Sequence, residues 1–324
     1  MIFKNSFHLL IDNFGLNFKL LLYKIIVGAL GIALSAAFLF PTLNMIFTSD
    51  SFNEIADLFG EFFKALISGN IEFLQGFADA LHGKITVFLS FLQEKTPNVV
   101  FFFVMLVLIL LVTRFLSGMG NFVFGKLIGD KMSSYSKTSF STAYISNLGR
   151  AMLWQVVYVP ITFVYDICML ALCYLAFLIL LSIISSSIVA SFIALMFSVA
   201  LLLVSQAVKL TVFSNAVPAL VCDKVNLRTA FKKSFSFTKE RFASLFTTYL
   251  VTALLILCLN VLFAFASFGA ALLITIPMSY MILICIQFVS YYTYEKKKYF
   301  LTESQIVAPK EEKNRENYYD DFEI

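Results

Sequence analysis

The sequence predicts an all-α integral membrane bundle: six transmembrane helices joined by amphipathic interfacial helices. Apolar residues make up 60% of the 324 and charged residues only 14%, and the mean hydropathy is +0.87. A soluble globular domain is about a quarter charged. The apolar residues also gather into six runs, each near the roughly 20 helical residues that a bilayer's hydrocarbon core requires.

In chain order the runs are Leu20 to Phe47, Val99 to Leu116, Ile161 to Ile184, Ile188 to Phe213, Leu245 to Phe268 and Ala270 to Tyr292. The first offers small residues at Ser35-Ala36-Ala37, as a cleaved signal would. Its apolar stretch far exceeds the about 7 to 15 residues of a signal core, so a retained helix is expected.

Between the first two runs, residues 49–98 read as external amphipathic helices. Ser51-x-x-Glu54 matches a capping box, and Ile55, Leu58, Phe59, Phe62 and Leu66 form a helical stripe that Gly69 ends. Asn70 opens a second helix with Phe73, Leu74, Phe77 and Leu81 on one face and Gly83 as its stop, and a third runs from Ile85 to Pro97. Such a hairpin or triplet either covers the bundle or lies in the outer interface, since an apolar stripe serves both.

Charge sets the expected topology. Residues 49–98 hold three basic residues, Lys64, Lys84 and Lys95, against Asp50, Glu54, Asp57, Glu61, Glu72, Asp79 and Glu94. The other 21 of the 24 basic residues fall in the N-terminal arm, in residues 117–150 and 214–243, in the tail, or at adjoining helix ends. The positive-inside rule makes those segments cytoplasmic. A multi-pass protein of the cell membrane with both termini cytoplasmic is expected.

Residues 117–150 and 214–243 are read as basic amphipathic segments. In the second, Leu227, Phe231, Ser234, Thr238 and Phe242 form a stripe, while Arg228, Lys232, Lys233, Lys239 and Arg241 point largely elsewhere. A helix from Arg228 to Phe242 lying on the cytoplasmic surface would contact anionic lipid headgroups, each charge contributing about 1 kcal/mol. The alternative is charge that serves topology alone. Gly118-x-Gly120 reads as a loop at the end of the second run. A degenerate repeat is also visible: Lys137-Thr138-Ser139-Phe140-Ser141 lies 95 residues before Lys232-Lys233-Ser234-Phe235-Ser236, and Asp130-Lys131 and Asp223-Lys224 precede them. Repeats in membrane proteins often frame a site.

The run Pro218-Ala219-Leu220-Val221, then Ala230-Phe231-Lys232-Lys233-Ser234 and Thr238-Lys239-x-Arg241-Phe242 before a membrane run, resembles a motif of a family of bacterial polytopic membrane proteins. That family includes the membrane domain attached to some glycerophosphoryl diester phosphodiesterases. The resemblance covers the last three runs. After Tyr294 only 30 residues remain, too few for the phosphodiesterase barrel of roughly 200 or more. No catalytic residue carries over, and the resemblance implies a membrane module.

Ionisable residues within membrane runs are functional candidates. Taking Ser185-Ser186-Ser187 as the turn of a hairpin sets Asp166 level with Gln206 to Lys209, near the cytoplasmic interface. The group then acts either as a locking ion pair with a snorkelling lysine or as a gate. Across the last hairpin, turning near Gly269, Asn260 is level with Pro277, and its amide is expected to replace the helical donor that proline denies to the Leu273 carbonyl.

Cys168, Cys173, Cys258 and Cys285 lie in apolar runs and Cys222 in a cytoplasmic segment, so all five read as small buried hydrophobes. His8 and His82 fall on opposite sides of the membrane in this topology. No metal or cofactor is expected, and no phosphate-binding loop, nucleophile elbow or metalloprotease motif is present. Residues 295–324 read as a disordered cytoplasmic tail, whose Asn317-Tyr318-Tyr319-Asp320-Asp321-Phe322 ending could dock a partner.

The first functional expectation is therefore non-enzymatic: a membrane module that contacts anionic lipid and assists a protein partner in envelope or lipid physiology, with no nucleic acid involved. The alternatives are a transporter or channel component, or an intramembrane lipid enzyme. A polar cavity near Asp166, Gln206 and Asn260 would mark the transporter, and a filled bundle centre the scaffold.

Overall fold

The computed structural model describes residues 2–184 and 187–308. Its helices are α1 (Ile2–Asp12), α2 (Gly15–Phe38), α3 (Phe40–Phe47), α4 (Asp50–Ser68), α5 (Ile71–Glu94), α6 (Thr96–Ser134), α7 (Phe140–Ile183), α8 (Ser187–Phe213), α9 (Ala216–Cys222), α10 (Leu227–Ala266) and α11 (Leu272–Tyr294). A short antiparallel ribbon, β1 (Tyr299–Phe300) with β2 (Ile306–Val307), follows. Among the described residues six helical stretches are long and apolar enough to cross a membrane: α2, α6, α7, α8 with α9, α10 and α11. The protein is an all-α, multi-pass membrane protein.

The chain divides into two compact units, one spanning Ile26–Thr113 and the other holding the rest. In the first, the expected Leu20 to Phe47 helix breaks at Leu39, where Pro41 enters the first turn of α3. Proline cannot donate to the carbonyl four residues back, so the helix cannot run straight through. The helix cap is Ser49, whose Oγ accepts from the Phe52 N–H at 3.3 Å, and not Ser51. Gly69 ends α4 (φ 71°) and Asn70 caps α5 as expected. Gly83 does not stop it: α5 runs on to Glu94, so the segment is a hairpin of two helices and not three. The apolar stripes of α4 and α5 meet each other, with Phe62 and Phe77 rings 4.3 Å apart and Phe59 and Phe77 5.6 Å apart. Lys84 and Glu54 close the hairpin at 2.7 Å.

Three helices that reach into the second unit, α6 (from Arg114), α7 and α10, are longer than a bilayer needs. At 1.5 Å per residue the 44 residues of α7 span about 66 Å, roughly twice a hydrocarbon core. The 39 residues of α6 are likewise too many, and α10 exceeds the core by a first segment set off by a kink. The best-packed core lies in the overshoot: Phe122, Phe124, Ile128 and Met132 of α6 are buried with Ala143 and Trp154 of α7, Leu220 of α9, Ala230 of α10 and Phe288 and Tyr291 of α11. Residues 117–134, expected as a surface segment, are thus the middle of that core. Too many of their positions are apolar for a one-sided helix. Gly118 and Gly120 likewise lie inside α6 and not in a loop. A Cβ at Gly120 would sit 2.2 Å from the Tyr23 ring, which its own hydroxyl pins by donating to the Leu116 carbonyl at 2.7 Å. These glycines permit close helix approach.

The repeat is not matched in backbone. Ser139 caps α7, whereas its counterpart Ser234 is inside α10. One chemical parallel survives: Asp130 accepts from Thr138 at 2.9 Å and Asp223 from Lys233 at 2.6 Å, each bridging the connection that follows it. The expected surface helix from Arg228 to Phe242 is the start of α10, separated from its membrane run by a kink at Arg241 (φ −125°, ψ 16°). Cys168 and Cys258 are exposed, so the buried-hydrophobe reading fails for those two.

The first part of the tail is folded. Tyr299 is buried, and its hydroxyl accepts from Asn5 Nδ2 at 2.8 Å. Asp223, which caps α9, accepts from Lys233 (2.6 Å), Lys297 (2.5 Å) and the Tyr291 hydroxyl (2.5 Å), tying α9, α10, α11 and the tail together. These pairings overturn the expected disorder for residues 295–308. Residues 309–324, including the Asn317 to Phe322 ending, and Ser185-Ser186 lie outside the described residues.

Burial raises the Asp223 carboxyl pKa, but the hydrogen bonds from Lys233, Lys297 and Tyr291 outweigh it and hold the pKa at about 2. Because the folded value lies below the ordinary 3.8, the tether stabilises fully above that pH and is lost as pH falls through about 2. With surface screening the contribution is about 1–2 kcal/mol. Thermal unfolding between pH 5 and 2 should show wild type losing this advantage over Asp223→Asn, with the two curves converging at the acid end.

Candidate ligand-binding cavity

The site begins with a shortage of negative charge. From Lys131 to Cys222 the only acidic residue is Asp166, on α7. Lys209 of α8 donates to its two carboxylate oxygens at 2.9 and 3.2 Å, and Arg114 of α6 donates to Oδ2 at 2.6 Å. Lys209 is nearly buried at 9% side-chain exposure, whereas Asp166 keeps 26%. The structure thus brings Asp166 and Lys209 together and adds Arg114, which sequence reasoning counted only as a charge at a helix end. Charge-assisted bonds of this kind are the strong ones, and here one carboxylate serves two cations. Gln206 lies one turn before Lys209 on α8 and does not reach Asp166; it faces the space described next.

That space is a partly open cavity of about 600 Å³ among α6, α7, α8, α10 and α11. Arg114 and Lys209 stand in its wall with the amides of Asn121, Gln155, Gln206 and Asn260, and Trp154, Phe213 and Ile256 supply apolar surface. Gln155 is only 2% exposed. Its Oε1, and Oδ1 of Asn121 and Asn260, have no hydrogen-bond partner among the described residues. Buried polar atoms are almost always paired, with protein, water or ligand. The Gln155 amide fits because position 118 is glycine: a Cβ there would lie 2.2 Å from Oε1.

A third cation stands behind the wall. Lys24 of α2 donates to the Ser117 hydroxyl and, at 3.3 Å, to the Ser117 carbonyl. Its Nζ lies 4.3 Å from the centroid of the Tyr280 ring. Ser117 and Tyr280 both line the cavity, and none of its lining residues is Asp, Glu, His or Cys. An apolar wall, unpaired amides and an excess of cations can hold an anion and orient its polar groups.

Asn260 does not bond as expected. Its Nδ2 donates to Ser279 Oγ at 3.3 Å, and Ser279 in turn donates to the Thr275 carbonyl. Pro277 frees the carbonyl one turn before it, so a residue level with Pro277 is a turn away from Leu273. The contact still ties α10 to α11.

The basic residues of α10 divide. Lys233 is bound to Asp223, and the Arg241 guanidinium lies 5.7 Å from the Tyr294 ring centroid. Arg228, Lys232 and Lys239 are exposed. The stripe behind them faces protein: Ser234 donates to the Val212 carbonyl at 2.7 Å, Thr238 to the Thr211 carbonyl at 3.2 Å, and Phe231 packs 5.2 Å from Trp154. Phe242 remains 41% exposed.

No protein-family model, curated protein or solved structure matches the chain.

Since Asp166 serves two cations, removing it should cost more than removing either partner. Asp166→Asn is expected to lower stability by about 3 kcal/mol, the lower end for a broken buried pair. Lys209→Met and Arg114→Gln should each cost less, because the other cation keeps the carboxylate. Thermal unfolding of the three purified variants ranks them; equal losses would contradict the shared arrangement.

Proposed function

We propose that this multi-pass membrane protein binds an anion in its cavity as the ligand-binding component of a transporter or channel. The observation that carries the reading is the cavity itself. A scaffold has a filled bundle centre, whereas here Gln206 and Lys209 of α8 and Asn260 of α10 face an open space, with Asp166 of α7 bonded to Lys209 at its edge. A buried Lys209 and a half-buried Arg114, outnumbering their shared carboxylate, attract a further negative charge. The same proposal sets the basic ends of α6, α7 and α10 on the cytoplasmic side of a bacterial cell membrane, with the termini there. The resemblance to the phosphodiesterase-linked membrane family supports that assignment, and the reading requires no catalysis by this chain.

A second reading has its own support. Arg228, Lys232 and Lys239 are exposed on one helix and have no partner among the described residues, which suits contact with anionic headgroups at the membrane surface. Lys233 and Arg241, engaged within the protein, drop out of that set.

Trp154 is the chain's single tryptophan and lines the cavity, so its emission reports occupancy. Inorganic phosphate should change it saturably in the reconstituted protein, and Arg114→Gln or Lys209→Gln should weaken the response by about tenfold or more. A response absent in wild type, or unchanged in both variants, would remove the anion-binding reading.

A further inference from the structure

A second space adjoins the cavity within the same unit. It is an apolar groove of about 380 Å³ between α1, α10 and α11, walled by Phe7, Leu255, Leu259, Phe263, Ile274 and Met278. Ile256 and Asn260, one turn apart on α10, line both spaces. One helical face therefore separates a cationic, amide-lined chamber from a nearly unbroken apolar slot. Two polar groups on the slot's lining, Asn260 Oδ1 and Thr275 Oγ1, have no hydrogen-bond partner among the described residues.

We infer that the two spaces form one site for an anionic lipid of the surrounding bilayer, its phosphate against Arg114 and Lys209 and an acyl chain in the groove. The inference rests on the anion-binding reading and adds the class of anion. A small soluble anion uses the chamber but makes no use of an apolar slot beside it. An uncharged lipid fills the slot but leaves the cation excess and the buried amides uncompensated. An anionic lipid satisfies both, and the amides of Gln155 and Asn260 accept from hydroxyl or amine donors near its phosphate. Ile256 and Asn260 then lie where head and chain join, so their side chains set how the lipid passes from one space to the other.

The test uses the full chain in phosphatidylcholine nanodiscs doped with lipids whose acyl chains carry bromine, which quenches tryptophan at short range. Brominated phosphatidic acid should quench Trp154 at about a tenfold lower mole fraction than brominated phosphatidylcholine, the preference a charge-assisted contact supports. Arg114→Gln should abolish the preference. Thr275→Phe, which fills the groove without touching the cations, should weaken lipid quenching while leaving the inorganic phosphate response intact, which also shows that this variant is folded. Equal quenching by the two brominated lipids in wild type overturns the lipid assignment. If phosphate still acts through Arg114 in that case, the anion cavity stands and only the lipid falls; if it does not, both fall.

Discussion

Asp166 is the one carboxylate that Arg114 and Lys209 share, and the arrangement of α6, α7 and α8 depends on that sharing. A charge within a membrane helix is costly unless another group compensates it. With a single acid between Lys131 and Cys222, Arg114 and Lys209 on different helices converge on the same carboxylate. The convergence holds three helices in register, yet it leaves the cluster positive. That residual charge stands in a wall of amides and aromatic rings, and the proposed anion binding rests on it.

The cavity is sustained by the way the second unit packs. Its densest core lies where α6, α7 and α10 run past the length a bilayer needs, with α9 and the start of the tail closing over it. Asp223 acts there as Asp166 acts nearer the cavity, with two lysines and a tyrosine hydroxyl converging on one carboxylate. Close packing of this kind holds these helix ends together. It also explains glycine at positions 118 and 120: the first makes room for the Gln155 amide and the second for the Tyr23 ring.

Much of this was legible in the chain. Six apolar runs give six spanning helices, and hairpin depth alone pairs Asp166 with Lys209, because residues equidistant from a turn share a level. Arg114 was missed because it lies at the far end of an apolar run, where a basic residue reads as topology; that Asp166 is the sole acid nearby was the signal that could have found it. Residues 117–134 were misread because their lysines and glycines suggested a surface segment, although Phe122, Phe124 and Ile128 are too widely distributed around the helix for one apolar face. The amides of Asn121 and Gln155 gave no warning, since a polar side chain on a membrane helix looks the same whether it meets a partner helix or a cavity. Folding of the early tail depends on Tyr299 and Lys297 reaching Asn5 and Asp223, contacts so distant in sequence that no local pattern announces them.

A partly open space with Arg114 and Lys209 in its wall reaches into the second unit, and Trp154 in the same wall allows a direct measurement. Tryptophan emission from the reconstituted protein, titrated in parallel with iodide and with caesium at matched ionic strength, compares an anionic with a cationic collisional quencher. The account predicts that iodide quenches Trp154 well above caesium and that Arg114→Gln narrows the difference, since the local field concentrates anions. A tryptophan that neither ion reaches, or that caesium quenches as well as iodide, would contradict it.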